Sequence, residues 1–266
     1  MRRCGWFVLA AAMLGLTGCG TWSGRTPEDS FRMLTYNIHH GESRKRVLDI
    51  AAAAKVAARQ KARFVFLQEV DQGTRRVAGA DTCAVFSRVC GLTATFARAI
   101  GYQGGDYGVA LLSATKPLTV RRYPLPGVEP RVLLLCEFPD CWAGTMHLDW
   151  QSTAAQQNSI DIIRRALAAC GGDKPVFLAG DWNATPDSAT LSELKHFLTV
   201  LTPQDRATFG QYGPVSAQAK CIDYIAVDAA HTAAWTVRSG EVLDVPEISD
   251  HFPVCVAVES VRSAAR

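Results

Sequence analysis

The chain has 266 residues, 48% of them hydrophobic, and a formal net charge of +3. That length suits one large α/β or α+β domain, or at most two small ones, with apolar content for a full core. No block of like charge stands out, so composition gives little support to electrostatic capture of nucleic acid, without excluding it.

Residues 1–18 read as an export leader: Arg2 and Arg3 precede a short apolar stretch that ends in Leu16-Thr17-Gly18-Cys19. The stretch is too short to span a bilayer. A small residue before Cys at that distance resembles a bacterial lipobox, so the mature chain is expected to begin at an acylated Cys19 and to sit on an envelope membrane. Without Arg2 and Arg3 the 28 basic residues fall to 26, against 25 acidic. Residues 19–30 are polar with Gly and Pro and read as a tether.

Strand and helix patterns then alternate over 31–260, with no linker, and one domain is expected. Residues 31–36 read as a strand, 47–60 as an Ala-rich helix, and 64–68 as a buried strand. A helix over 81–90 is stopped by Gly91. Strands follow at 109–113, 132–138 and 142–148, and a strong helix over 153–169 ends at Gly171-Gly172. Residues 175–179 read as a buried strand and 188–198 as a helix. The strands 222–227, 236–239 and 254–258 finish the chain. Helical crossovers and hairpins occur together, which points to two mixed sheets packed face to face with helices outside.

Seven cysteines follow Cys19. Cys136 and Cys141 flank a tight Glu-Phe-Pro-Asp turn, and a hairpin disulfide is expected there. Cys83 and Cys90 would lie about 10 Å apart along a helix, too far to bridge. No Cys-x-x-Cys pair occurs, which argues against structural zinc.

The apolar runs carry polar punctuation. Three end in ligand-type residues: Asn37 in LTYNIHHG, Glu69 in FVFLQEVD, and Asp181 with Asn183 in VFLAGDWNATP. Two begin after one: Asp223 in CIDYIAV, and Asp250-His251 in ISDHFPV. His147 sits in GTMHLDW. Taken singly, each Asp or Asn reads as a turn residue and His147 as a core histidine. If the last two strands run opposite to the first three, all of these groups gather at one edge of the core. Glu69 and Asp71 at one strand mouth must be solvated, paired or bound to metal.

In this order the motifs resemble the endonuclease/exonuclease/phosphatase superfamily, over nearly the whole mature chain. The resemblance implies a four-layer α/β/β/α sandwich and a metal-dependent phosphoesterase with Mg²⁺ or Mn²⁺. It implies metal ligation by Glu69, helped by Asn37 and Asp250. His251 would contact the scissile phosphate as general acid or base, oriented by Asp223. Asp181 would position or deprotonate water, and Asn183 and His147 would donate hydrogen bonds to phosphate oxygens. The usual Tyr-Gly-Asn-Ala is Tyr107-Gly108-Val109-Ala110 here, which removes one polar contact, and Met146 replaces the usual Thr. Asp106 is a candidate to orient His147. Arg75 and Arg76 could reach a substrate phosphate or be solvated loop residues. Tyr102 and Trp182 could stack on substrate or cover the core.

The expected substrate is a phosphodiester in nucleic acid, with an inositol phosphate or lipid headgroup as the alternative. The expected state is a monomer. A silent binding module is disfavoured, because Glu69, Asp181, Asp250 and His251 are all present.

Overall fold

The computed structural model describes residues 29–210, 219–245 and 247–261. The expected leader, Cys19 and the tether as far as residue 28 lie outside the described residues. No described helix is long and apolar enough to cross a membrane.

Two parallel strand pairs form the centre. In the first, β1 (Ser30–Asn37) lies beside β2 (Phe64–Gln72), joined by helix α1 (Ile50–Arg59). The helix starts later than its Ala-rich pattern because Asp49 caps it, accepting from the Ala52 N–H at 2.8 Å. Helix α2 (Thr82–Cys90) is capped by Asp81 and ends at Gly91, which adopts φ 68°. The hairpin β3 (Thr93–Tyr102) and β4 (Gly105–Ser113) follows, with β4 antiparallel to β2.

In the second pair, β7 (Trp142–His147) lies parallel to β8 (Val176–Asp181), joined by α3 (Thr153–Ala168). Antiparallel strands β5 (Thr119–Leu125) and β6 (Arg131–Glu137) extend this sheet on one side. On the other side it takes β10 (Asp223–Asp228) and then β9 (Leu198–Val200). The segment expected as one helix over 188–198 divides into α4 (Ala189–Leu194) and the start of β9. The last strands, β11 (Trp235–Val242) and β12 (Val254–Ser260), return to the first sheet. The orders are β11-β12-β1-β2-β4-β3 and β5-β6-β7-β8-β10-β9.

Three apolar layers hold the sandwich together. Between the sheets, Phe31, Phe64 and Phe66 meet Phe177 and Val227. Phe31 and Phe177 make an edge-on contact at 5.5 Å across the interface. Outside the sheets, α1 packs Ala53 and Val56 on Leu34 and Leu67, and α3 packs Ile160 and Ile163 on Leu135 and Leu178. A polar link crosses the inner layer: Gln68 Nε2 donates to Thr145 Oγ1 at 2.9 Å, with both residues buried.

The expected Cys136–Cys141 disulfide does not form. The β6–β7 register sets Cys136 opposite Ala143, and all seven described cysteines are free thiols. Burial raises the Cys136 and Cys141 thiols to about 12, so both stay protonated and inert.

Candidate active site

Strand register assembles the site. The parallel pairing of β7 with β8 sets His147 opposite Asp181, and the antiparallel pairing of β8 with β10 sets Asp223 opposite Asp181. One row across three strands thus carries three of the functional side chains. Gly180 makes this row possible: it adopts φ 146°, and a Cβ there would sit 1.9 Å from the Met146 carbonyl oxygen.

The first sheet supplies the facing side. Asn37 ends β1. Glu69 occupies a register break between Leu67 and Val70 with φ 56°, a bulge that re-aims its side chain. The loop before β12 brings in Asp250 and His251. It is tied down by Ser249, whose Oγ donates to the Asn37 carbonyl at 2.8 Å and accepts from the His251 N–H at 3.2 Å.

The side chains then converge. Asn37 Nδ2 donates to Glu69 Oε1 at 3.2 Å and to Asp181 Oδ2 at 3.0 Å. His251 Nδ1 meets Asp223 Oδ2 at 2.9 Å, and its Nε2 lies 3.6 Å from Asp181 Oδ2. Thr208 also donates to Asp223 Oδ2, at 2.6 Å. His147 Nε2 lies 3.4 Å from the same Asp181 oxygen. Asn183 tucks its Nδ2 onto the Leu148 carbonyl at 2.9 Å, and its backbone N–H donates to Asp181 Oδ1 at 2.9 Å.

Burial splits the protonation states. Burial alone would lower the His251 pKa, yet the carboxylates of Asp223 and Asp181 raise it to about 10, so the ring is an imidazolium. Burial and then Asp223 raise Asp181 to about 7. His147 moves the other way: burial, Arg131 and His251 hold it well below its ordinary value, so it is neutral. An acid and a base are thereby separated within one cluster.

A divalent cation fits this donor set. Burial and then the neighbouring Asp250 push Glu69 above the usual carboxylate range. Two carboxylates facing one cleft with that repulsion are what a hard cation relieves. Asn37, expected among the ligands, stands beside the carboxylates of Glu69 and Asp181. Its Oδ1 accepts from the His39 N–H at 3.1 Å, which turns the amide nitrogen toward Glu69 and Asp181.

Glu69, His147, Asp181, Asn183, Asp250 and His251 line a cleft of about 830 Å³, whose walls also include Arg76, Tyr102, Tyr107, Arg131 and Trp150. Arg76 forks onto Asp71 with two 2.7 Å bonds and lies over the Tyr102 ring at 4.7 Å. Asp71 is therefore paired, and only Glu69 of the two neighbouring acids faces the cleft. Arg75 is exposed and does not line the cleft. Asp106 does not orient His147; it pairs with Arg98 at 2.5 Å on a half-exposed surface. Trp182 is fully buried against Tyr224 and belongs to the core, whereas Tyr102 lines the cleft.

The place expected for Asp106 is taken by Arg131. This guanidinium is buried, and its Nη1 donates to Tyr107 Oη at 3.1 Å and Glu129 Oε1 at 2.8 Å, with His147 Nδ1 at 3.4 Å. An arginine can only donate, so Nδ1 of His147 must accept and the ring proton sits on Nε2, facing the cleft. The available signal was an arginine opening the apolar run RVLLL, where a charge needs a partner. Thr208 carried no such signal.

Residues 34–251 match the model of the Endonuclease/Exonuclease/phosphatase family. Among solved structures, the chain is similar to a protein of that description from Bacteroides vulgatus, with a TM-score of 0.72 at 18% identity, covering 87% of this chain and 99% of that one. One from Beutenbergia cavernae gives 0.69 at 20% identity, covering 87% and 72%. A mannosyl-6-phosphatase from Bacteroides thetaiotaomicron gives 0.68 at 17%, covering 86% and 99%. At such identities the likeness is one of fold. No curated protein sequence matches the chain.

Proposed function

The chain belongs to the endonuclease/exonuclease/phosphatase family, whose members are divalent-metal-dependent phosphoesterases, and from that premise we propose that it hydrolyses a compact phosphorylated molecule in the cleft under Asp181 and His251. The observation that carries the reading is the convergence of His147, Asp181, Asp223 and His251 beside Glu69 and Asp250.

Asp181, held near neutrality, orients water and accepts its proton as the oxygen attacks phosphorus. His251, held as an imidazolium by Asp223, donates to the phosphate and supplies a proton to the departing oxygen. His147 presents its Nε2–H to a second phosphoryl oxygen as charge builds there. Glu69 and Asp250 would hold a divalent cation, Mg²⁺ or Mn²⁺ by donor type, which would supply charge for the phosphoryl group.

The cleft lining favours a small ester over a nucleic-acid strand. Among the described residues its arginines and lysine are Arg76, Arg131 and Lys220, and the two arginines are already paired with Asp71 and Glu129. A groove that tracks a polynucleotide needs several unpaired cations. Tyr102 and Trp150 offer flat faces to the non-phosphate part of a substrate. The Leu16-Thr17-Gly18-Cys19 sequence supports placement at the bacterial envelope by an N-terminal lipid anchor.

An activity screen of the purified protein tests this reading. Sugar phosphates, inositol phosphates and sphingomyelin would be compared with DNA and RNA, with Mg²⁺ and with chelator. Faster turnover of DNA or RNA than of every small ester would overturn the substrate class.

A further inference from the structure

We propose that His39, His40 and Glu69 form a second cation site, one selective for a transition ion that takes imidazole nitrogen, with Glu69 shared with the Glu69–Asp250 site. One ring nitrogen of each histidine and a carboxylate oxygen of Glu69 lie within 4.8 Å of one another. Two imidazoles and one carboxylate, with open positions left for water, make a donor set suited to Zn²⁺, Co²⁺ or Mn²⁺ and a poor one for Mg²⁺.

The two rings are prepared for ligation. His39 lines the cleft, and its Nδ1 lies 2.9 Å from the Glu42 carbonyl. A carbonyl can only accept, so Nδ1 carries the proton and Nε2 offers a bare lone pair. This is the backbone-held arrangement that orients metal-binding histidines. His40 is 6% exposed and its buried Nδ1 has no hydrogen-bond partner. Its Nε2 faces Glu42 Oε2 at 3.8 Å, which favours the proton on that nitrogen. A buried acceptor left bare is costly, and a metal ligand bond removes that cost. Arg76, the nearby cation, is neutralised by its fork onto Asp71.

The phosphoesterase reading assigns neither histidine a part, and the site stands on these three residues whether or not an ester is turned over. Because Glu69 has two carboxylate oxygens, one can face Asp250 while the other faces the histidines.

The test is Co²⁺ titration of the chelator-treated full chain, read by visible absorption and by equilibrium dialysis in excess Mg²⁺. The wild-type protein is expected to retain Co²⁺ against Mg²⁺ and to show a d–d band. His39→Asn and His40→Asn suit the local backbone, since both positions have positive φ, 44° and 47°, which Asn tolerates. Each should weaken Co²⁺ by about tenfold or more while Mg²⁺ binding at Glu69–Asp250 shifts less than about twofold. Complete displacement of Co²⁺ by Mg²⁺ from the wild-type protein would overturn the site, whatever the variants do. Unchanged Co²⁺ affinity in both variants would overturn it as well. Turnover is not read, so a chain inactive on every ester would fail the proposed function and leave this result standing.

Discussion

Asp223 Oδ2 and His251 Nδ1 meet at 2.9 Å although the first opens a strand of one sheet and the second leads into a strand of the other. The bond is buried, and it ties the two halves of the sandwich together beside the cleft that His251 lines. The same contact sets the protonation state of the histidine.

Asp223→Asn should therefore change stability in a pH-dependent way. The His251 pKa is about 10 in the folded protein, against about 6.5 in the unfolded chain. Stabilisation from the pair is complete below about 6.5 and fades as pH climbs toward 10. Urea unfolding of both proteins should show the largest gap near pH 6, on the order of a few kcal/mol. The gap should close near pH 10. A constant gap across that range would detach the histidine charge from Asp223.

Asp181 must be ionised to accept a proton, and burial beside Asp223 raises it to about 7. The rate should rise with pH through a limb at or below about 7, drawn lower by a bound cation. In Asp181→Asn, kcat should fall roughly 100-fold or more, and that limb should disappear. A variant profile that keeps the limb would move the base elsewhere.

Glu69→Gln keeps the shape of the side chain and removes its charge. The half-saturating Mg²⁺ concentration should rise about tenfold or more, with an unchanged circular dichroism spectrum. An identical Mg²⁺ titration in this variant would take Glu69 out of the coordination shell.

Arg131→Lys keeps the charge but replaces the guanidinium whose single nitrogen Nη1 reaches Tyr107, Glu129 and His147 together. The proton on His147 would no longer be confined to Nε2. We expect kcat to drop about 10- to 100-fold with a smaller change in KM, and stability to fall by about 1–3 kcal/mol. A loss confined to KM would make Arg131 a substrate-binding group and not a positioning one.

Much of this site was legible because its residues stand where apolar runs stop. Asn37 and Asp181 end buried strands and Glu69 sits where the apolar run of β2 breaks, and a change from apolar to polar is visible without coordinates. The central strands and the capped helices were legible for the same reason. What was hidden depends on neighbours. Strands β3 and β5 lie at sheet edges, half exposed, and show no continuous apolar run. The partner of His147 could not be read from spacing, because Asp106 precedes Tyr107 in sequence but turns outward to Arg98. Cys136 and Cys141 flank a turn, yet strand register sets Cys136 opposite Ala143. The orientation of the Asn37 amide follows from the His39 N–H, a backbone contact that no motif encodes.

The most direct measurement is hydrolysis of bis-p-nitrophenyl phosphate and p-nitrophenyl phosphate by the purified chain with Mg²⁺ or Mn²⁺, with and without chelator, beside His251→Ala. Turnover that needs the cation, stops with chelator and falls at least about 100-fold in a folded His251→Ala protein is the predicted result. Turnover that ignores the chelator, a variant at the wild-type rate, or no turnover of either ester with any divalent cation would contradict the assignment of this cleft to phosphoester hydrolysis.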